Sequence, residues 1–107
     1  MNPETRIQNS IIKYLKKRKA LVWRISDNYL MAGFPDLLVC YRGKFIALEV
    51  KTDEGSPSKQ QEMIIDYINQ AEGVARIVRS VQDTRKILDE VNRVQDSLKT
   101  ISTTGSR

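Results

Sequence analysis

Asp36, Glu49 and Lys51 are the residues of this chain whose types and spacing could do chemistry together. Pro35-Asp36 lies far enough ahead of Glu49-Val50-Lys51 for one strand-turn-strand to bring all three onto one face. Two carboxylates placed as neighbours repel, and a divalent cation between them relieves that repulsion. With oxygen ligands, and with no histidine in the chain, the hard ions Mg2+ and Mn2+ suit the pair better than zinc. A metal so held lowers the pKa of a bound water and stabilises charge developing on a phosphate. A lysine beside it can contact the phosphate and help position or activate the water. The chemistry these groups suit is metal-assisted hydrolysis of a phosphodiester.

The hairpin makes the juxtaposition specific. Arg42-Gly43 is a candidate two-residue turn between Asp36-Leu37-Leu38-Val39-Cys40-Tyr41 and the strand Lys44 to Lys51. Tyr41 then faces Lys44, and counting outward Asp36 faces Glu49, with Cβ atoms about 5 Å apart. Lys51 follows two residues along the same face, and the Val50 carbonyl is a reasonable further ligand. A three-residue turn with a bulge would shift this register. The competing reading is a solvated charged face on which Lys51 merely pairs with a carboxylate.

The elements around the hairpin follow from local signals. Asn2-Pro3-Glu4 reads as an N-cap, a first-turn proline and a dipole-facing acid. Ile7, Ile11 and Leu15 recur at helical spacing through about Lys19, and Glu4 falls within their arc. Leu21 to Ile25 reads as a short apolar strand, with Trp23 in the core. Asp27 to Pro35 reads as a loop. Ser58 to Glu72 is helical along Ile64, Ile65, Ile68 and Ala71, and Gly73 ends it. Val74 to Arg79 is another strand, and Val81 to about Leu98 a last amphipathic helix. The order is α-β-β-β-α-β-α, a small mixed sheet flanked by helices. One domain spans 1–98, and the polar residues 99–107 read as a disordered tail.

Composition narrows the partner. The 107 residues carry 18 Lys+Arg against 13 Asp+Glu, a net charge of +5, which favours an anionic partner. From Thr5 to Ser26 there are seven basic residues and no acid. Without histidine there is no Ser-His-Asp triad and no ordinary general base. The single cysteine, Cys40, excludes an intramolecular disulfide and reads as a small buried hydrophobe. No apolar run approaches the roughly 20 residues of a membrane span and no secretory signal is visible, so a cytoplasmic location is expected.

The run Gly33-Phe34-Pro35-Asp36-Leu37-Leu38-Val39 followed by Glu49-Val50-Lys51 resembles the catalytic core of the PD-(D/E)xK nuclease superfamily. In detail it is most similar to the virus-type replication-repair nuclease (VRR-NUC) domain, over about Glu4 to Val81. The resemblance implies a restriction-endonuclease-like fold and Mg2+ or Mn2+ held by Asp36 and Glu49. It gives Lys51 a part in catalysis, and completes the site with a first-helix glutamate and a glutamine from the following helix. Glu4 is the candidate acid, although its place in the first turn also suits simple dipole complementation. Gln61 is the candidate glutamine and Gln60 the second choice; Ser58-x-x-Gln61 also reads as a capping box. The implied activity is a structure-selective DNA endonuclease on branched DNA, similar to Holliday-junction resolvases, leaving 5′-phosphate and 3′-hydroxyl ends. The resemblance also implies a phage or mobile-element origin.

So small a chain covers little DNA, so a homodimer with one site on each of two strands is the expected working unit. Lys13, Lys16, Lys17, Arg24 and Lys44 are candidate phosphate contacts, and Trp23 and Tyr29 could stack on bases. The alternatives are a monomeric flap or nicking nuclease and a non-catalytic basic DNA-binding module. A membrane-surface role for the basic helix ranks below them.

Overall fold

A computed structural model describes residues 2–25 and 32–104, with side chains through Lys99. The expected Tyr29 and the tail residues 105–107 lie outside the described residues. The elements run α1 (Pro3–Lys17), β1 (Leu21–Arg24), β2 (Leu37–Tyr41), β3 (Lys44–Val50), α2 (Lys59–Gln70), β4 (Val74–Val78) and α3 (Val81–Thr104). The strands form one sheet in the order β1-β2-β3-β4. The first three are antiparallel neighbours, and β4 pairs parallel to β3. This is the mixed α/β sheet with flanking helices that the sequence predicts.

The hairpin has the predicted register. Tyr41 faces Lys44 and Leu37 faces Leu48. Arg42 and Gly43 both take positive φ, 52° and 78°, which twists the turn in the sense the strands need. Arg42 accepts that conformation while its guanidinium bonds α3, at 2.9 Å from both Asn92 Oδ1 and Asp96 Oδ1. No bulge intervenes, so Asp36 stays in phase with Glu49.

Period-two alternation divides the sheet into two faces. Leu37, Val39, Ile46, Leu48, Val50 and Val78 point to one face and are buried against Ile11 and Leu15 of α1 and Leu88 of α3. Each such aliphatic side chain contributes about 1.5–3 kcal/mol by leaving water. The opposite face carries Leu38, Cys40, Phe45, Ala47 and Glu49. There α2 packs on β4, and it leaves the β1–β2 half open.

Two expectations fail on that open half. Trp23 is 64 % exposed rather than core, and Cys40 is exposed rather than buried. The apolar composition of β1 and β2 on both faces suggests burial on both, but α2, which packs on β4, does not reach them.

Helix ends also depart from the sequence reading. The left-handed residue after α2 is Glu72, φ 69°, not Gly73. Gly73 N–H donates to the Ile68 carbonyl and Glu72 N–H to that of Asn69, both at 3.0 Å, the bonding of a Schellman ending. Gly73 is needed for space, because a Cβ there would lie 2.9 Å from Ile68 Cγ2 and 3.1 Å from Phe45 Cδ1. The last helix runs to Thr104, beyond the expected Leu98. Among the described residues no helix is long and apolar enough to cross a membrane.

Candidate active site

The C-terminal end of β3 opens into a cleft of about 550 Å³ lined by Glu4, Arg24, Asp36, Glu49, Lys51 and Gln61, among others. Five elements, α1, β1, β2, β3 and α2, bring these side chains together. Asn2 Oδ1 accepts from Thr5 N–H at 2.8 Å and fixes the start of α1, which sets Glu4 at the rim. Ile25 N–H donates to the Asp36 carbonyl at 2.9 Å, so β1 runs alongside β2 as far as Asp36. The Asp36 carboxylate in turn accepts from Val50 N–H at 2.9 Å through Oδ2. That bond replaces a ladder contact and clamps Asp36 onto the strand carrying Glu49.

Glu49 is only 2 % exposed. Its Oε2 accepts from Gln61 Nε2 at 3.0 Å and lies 3.3 Å from Lys51 Nζ. Its Oε1 is buried and has no hydrogen-bond partner among the described residues. Burial, and next the charge of Asp36, push the Glu49 carboxyl up to about 7, against the opposing pull of Lys51. Glu4 adds the smallest upward push, which puts its charge within reach of the pair. Among the described residues no three of His, Cys, Asp and Glu cluster closely enough to ligate one ion by themselves. The donor set therefore fits a hard cation as two carboxylates, Asp36 and Glu49, completed by backbone or water oxygen. A buried carboxylate oxygen without a donor is the fitting feature, since such a group is costly unless something cationic meets it.

Gln61 carries both of the readings the sequence offers for it. Its Oε1 accepts from Ser58 N–H at 2.9 Å while Ser58 Oγ accepts from Gln61 N–H at 3.1 Å. The capping box starts α2, and it holds the amide so that Nε2 is left to face Glu49. Gln60 is exposed and packs over Gly33 instead. A Cβ on Gly33, which has φ +83°, would lie 2.5 Å from Gln60 Cγ.

The basic candidates separate. Arg24 lines the cleft and its Nη2 donates to Asn9 Oδ1 at 2.5 Å. Lys13, Lys16 and Lys17 are exposed on α1, on the side turned away from its buried stripe. Lys44 is not brought to the cleft. It begins β3, whose other end carries the site, and its Nζ donates to the Glu72 carbonyl at 2.7 Å.

Sequence reasoning misses Arg79. Its Nη1 donates to the carbonyls of Thr52 and of Gly55, the latter at 2.8 Å, and so braces the loop that follows Lys51. Its own N–H donates to Asp83 Oδ2 at 2.9 Å, while Asp83 N–H donates to Ser80 Oγ at 3.1 Å. Ser80-x-x-Asp83 is a readable helix-start pattern. The contact from Arg79 back to Thr52 has no local signal.

The geometry has counterparts among solved structures. One, a "VRR_NUC domain", superposes with a TM-score of 0.72 at 24 % identity, covering 83 % of this chain and 97 % of its own. A second, a "VRR_NUC domain protein", gives 0.68 at 15 % identity, covering 84 % and 88 %. At these identities the likeness establishes the fold. No protein-family model and no curated protein sequence matches the chain.

Proposed function

From this VRR_NUC-type fold and the chemistry of its cleft we infer that the protein is a metal-dependent DNA endonuclease acting on branched DNA in the manner of a Holliday-junction resolvase. The observation that carries the reading is Glu49 Oε1 beside Asp36, buried and without a hydrogen-bond partner among the described residues. A protein that spends stability to bury a carboxylate oxygen unsatisfied has a use for its charge.

Asp36, Glu49 and the Val50 carbonyl would hold Mg2+ or Mn2+, with Glu4 contributing through water. The ion supplies Lewis acidity toward a phosphate oxygen and a lowered pKa for a bound water. Val50 N–H keeps one Asp36 oxygen occupied and thereby fixes the direction of the other. Gln61 and Lys51 do the same for Glu49 through Oε2 and leave Oε1 free. Once a ligand draws on Glu49, Lys51 Nζ is released to donate to a non-bridging phosphate oxygen and to orient the attacking water. The water oxygen bonds phosphorus and gives up a proton to solvent, the bond from phosphorus to the 3′ oxygen breaks, and that oxygen takes a proton from solvent, leaving 5′-phosphate and 3′-hydroxyl ends. Lys13, Lys16, Lys17 and Arg24 would add sequence-independent, salt-sensitive affinity. A homodimer would present one cleft to each of two strands.

The test is cleavage of a labelled four-way junction, a flap and a plain duplex, each with Mg2+, Mn2+ or chelator. The expected outcome is metal-dependent incision of the junction in preference to the duplex. Preference for the flap would favour a monomeric flap or nicking enzyme. Failure to cut any substrate with either metal would overturn the enzymatic reading and leave a DNA-binding module.

A further inference from the structure

We propose that a second copy of this chain docks on the open β1–β2 half of the sheet, through Leu21, Trp23 and Phe45, with Tyr67 of α2 at the margin. The proposal rests on the dimeric part of the functional reading and assigns the surface that makes the dimer.

These four side chains are 65 %, 64 %, 44 % and 58 % exposed. They adjoin one another. Leu21, Trp23 and Phe45 line one shallow apolar depression together with Leu38 and Cys40, and Phe45 and Tyr67 line the next. Taking aromatic side chains at about 150–250 Å² each, the exposed area of the four is roughly 450 Å². A standard interface removes about 800 Å² from each partner and is a little over half apolar, or roughly 450 Å². The patch has the size of the apolar part of one such interface.

Charge selects the partner. The chain carries a net charge of +5, so two copies repel over most approaches. None of the described residues lining the depression around Trp23 is charged, so a two-fold contact there pairs the patch with itself without burying a charge. A nucleic-acid stacking platform interleaves its aromatics with cations. Here Arg24, next to Trp23 in β1, bonds Asn9 of α1, and Lys44, next to Phe45 in β3, donates to the Glu72 carbonyl.

The position bears on the site. Trp23 pairs directly with Leu38 in the sheet, and Asp36 lies two residues further along the same face. A copy seated on Trp23 therefore lies beside the cleft, and it sets the relation between two clefts.

Trp23 is the only tryptophan, so its fluorescence reports on the patch directly. Sedimentation is recorded across a concentration series for the wild type, Trp23→Arg and Leu21→Arg, and emission spectra for the wild type and Leu21→Arg, with circular dichroism to confirm that each variant folds. The expected result is a wild-type dimer whose emission shifts to the red on dilution, and two folded monomeric variants. A wild type that stays monomeric at every concentration would sink the dimeric reading and the surface with it. A dimer that both variants retain would sink the surface alone. Emission that is already blue in the monomer, or that responds to DNA without dimerisation, would also overturn the assignment, because another group then covers Trp23. Junction cleavage measured on the same samples keeps the nuclease reading separate from all of these.

Discussion

Lys51 Nζ stands 3.3 Å from Glu49 Oε2, the same oxygen that accepts from Gln61 Nε2 at 3.0 Å. Two donors on one oxygen leave the other bare. That asymmetry makes Lys51 a partner of Glu49 in the resting protein and a free donor once a ligand takes up the carboxylate charge. Replacing Lys51 by Ala should lower single-turnover cleavage by about 10²–10⁴-fold while changing junction affinity little, since one phosphate contact is a small part of binding. Cleavage kinetics and fluorescence anisotropy on the same junction check this. Cleavage that survives the substitution would remove Lys51 from the chemistry.

Glu49 sets a pH dependence of stability in metal-free protein. Its carboxyl is pushed up to about 7 from 4.5, chiefly by burial and the charge of Asp36. A raised acid stabilises the fold while it holds its proton. The contribution is full below pH 4.5 and is lost as pH rises through about 7. A shift of this size corresponds to roughly 3 kcal/mol. Glu49→Gln, which cannot ionise, should match the wild type in melting temperature at acid pH. Above neutrality it should exceed the wild type by on the order of 10 °C. Thermal melts in chelator from acid to alkaline pH test the sign, and a Gln variant that melts lower throughout would contradict it.

The same carboxylates should couple metal to folding. A ligand that binds only the folded chain adds about 2.7 kcal/mol at a hundred times its Kd. Mg2+ or Mn2+ should therefore raise the wild-type melting temperature at neutral pH. The gain should vanish in Glu49→Gln and shrink in Asp36→Asn, whose amide oxygen can still accept from Val50 N–H. Titration calorimetry that finds equal metal affinity in all three proteins would move the ion elsewhere.

Gln61 joins a helix cap to the site, and the two duties can be separated. Ser58→Ala removes the cap oxygen that accepts from Gln61 N–H at 3.1 Å; it should cost about 1 kcal/mol with cleavage largely kept. Gln61→Ala should incur a similar loss of stability and also lower cleavage, because it strips one of the two donors from Glu49 Oε2. If the two variants lose activity alike, Gln61 acts through the helix start alone.

Much of this arrangement was legible because it is written in short-range chemistry. Asn2-Pro3-Glu4 set the first helix, and Arg42-Gly43 fixed a register that forces Asp36 and Glu49 onto one face. Ser58-x-x-Gln61 was readable as a cap, though its second bond to Glu49 needs the packed helix to be seen. What escaped depends on how elements stack. Trp23 and Cys40 sit in apolar strands, and only the reach of α2 decides that their side stays open. Lys44 looked like one more cation, yet the end of α2 happens to bring the Glu72 carbonyl to it. Arg79 braces a loop more than twenty residues upstream, a contact that no periodicity announces.

The separation of the basic residues gives the last prediction. Lys13, Lys16 and Lys17 are exposed on one helix, whereas Lys44 is committed to the Glu72 carbonyl at 2.7 Å, at the end of β3 away from the cleft. Each phosphate contact adds about 0.9 to the slope of log affinity against log salt. Changing all three α1 lysines to Gln should flatten that slope by up to about 3 and weaken junction and duplex binding together, because such contacts carry no sequence or shape information. Lys44→Gln should leave the slope as it is and lower stability by a few tenths of a kcal/mol, the scale of a cation near a helix C-terminus. Anisotropy titrations across a salt series measure both. A flat response in the triple variant with a clear one in Lys44→Gln would place the nucleic acid on the other end of the sheet.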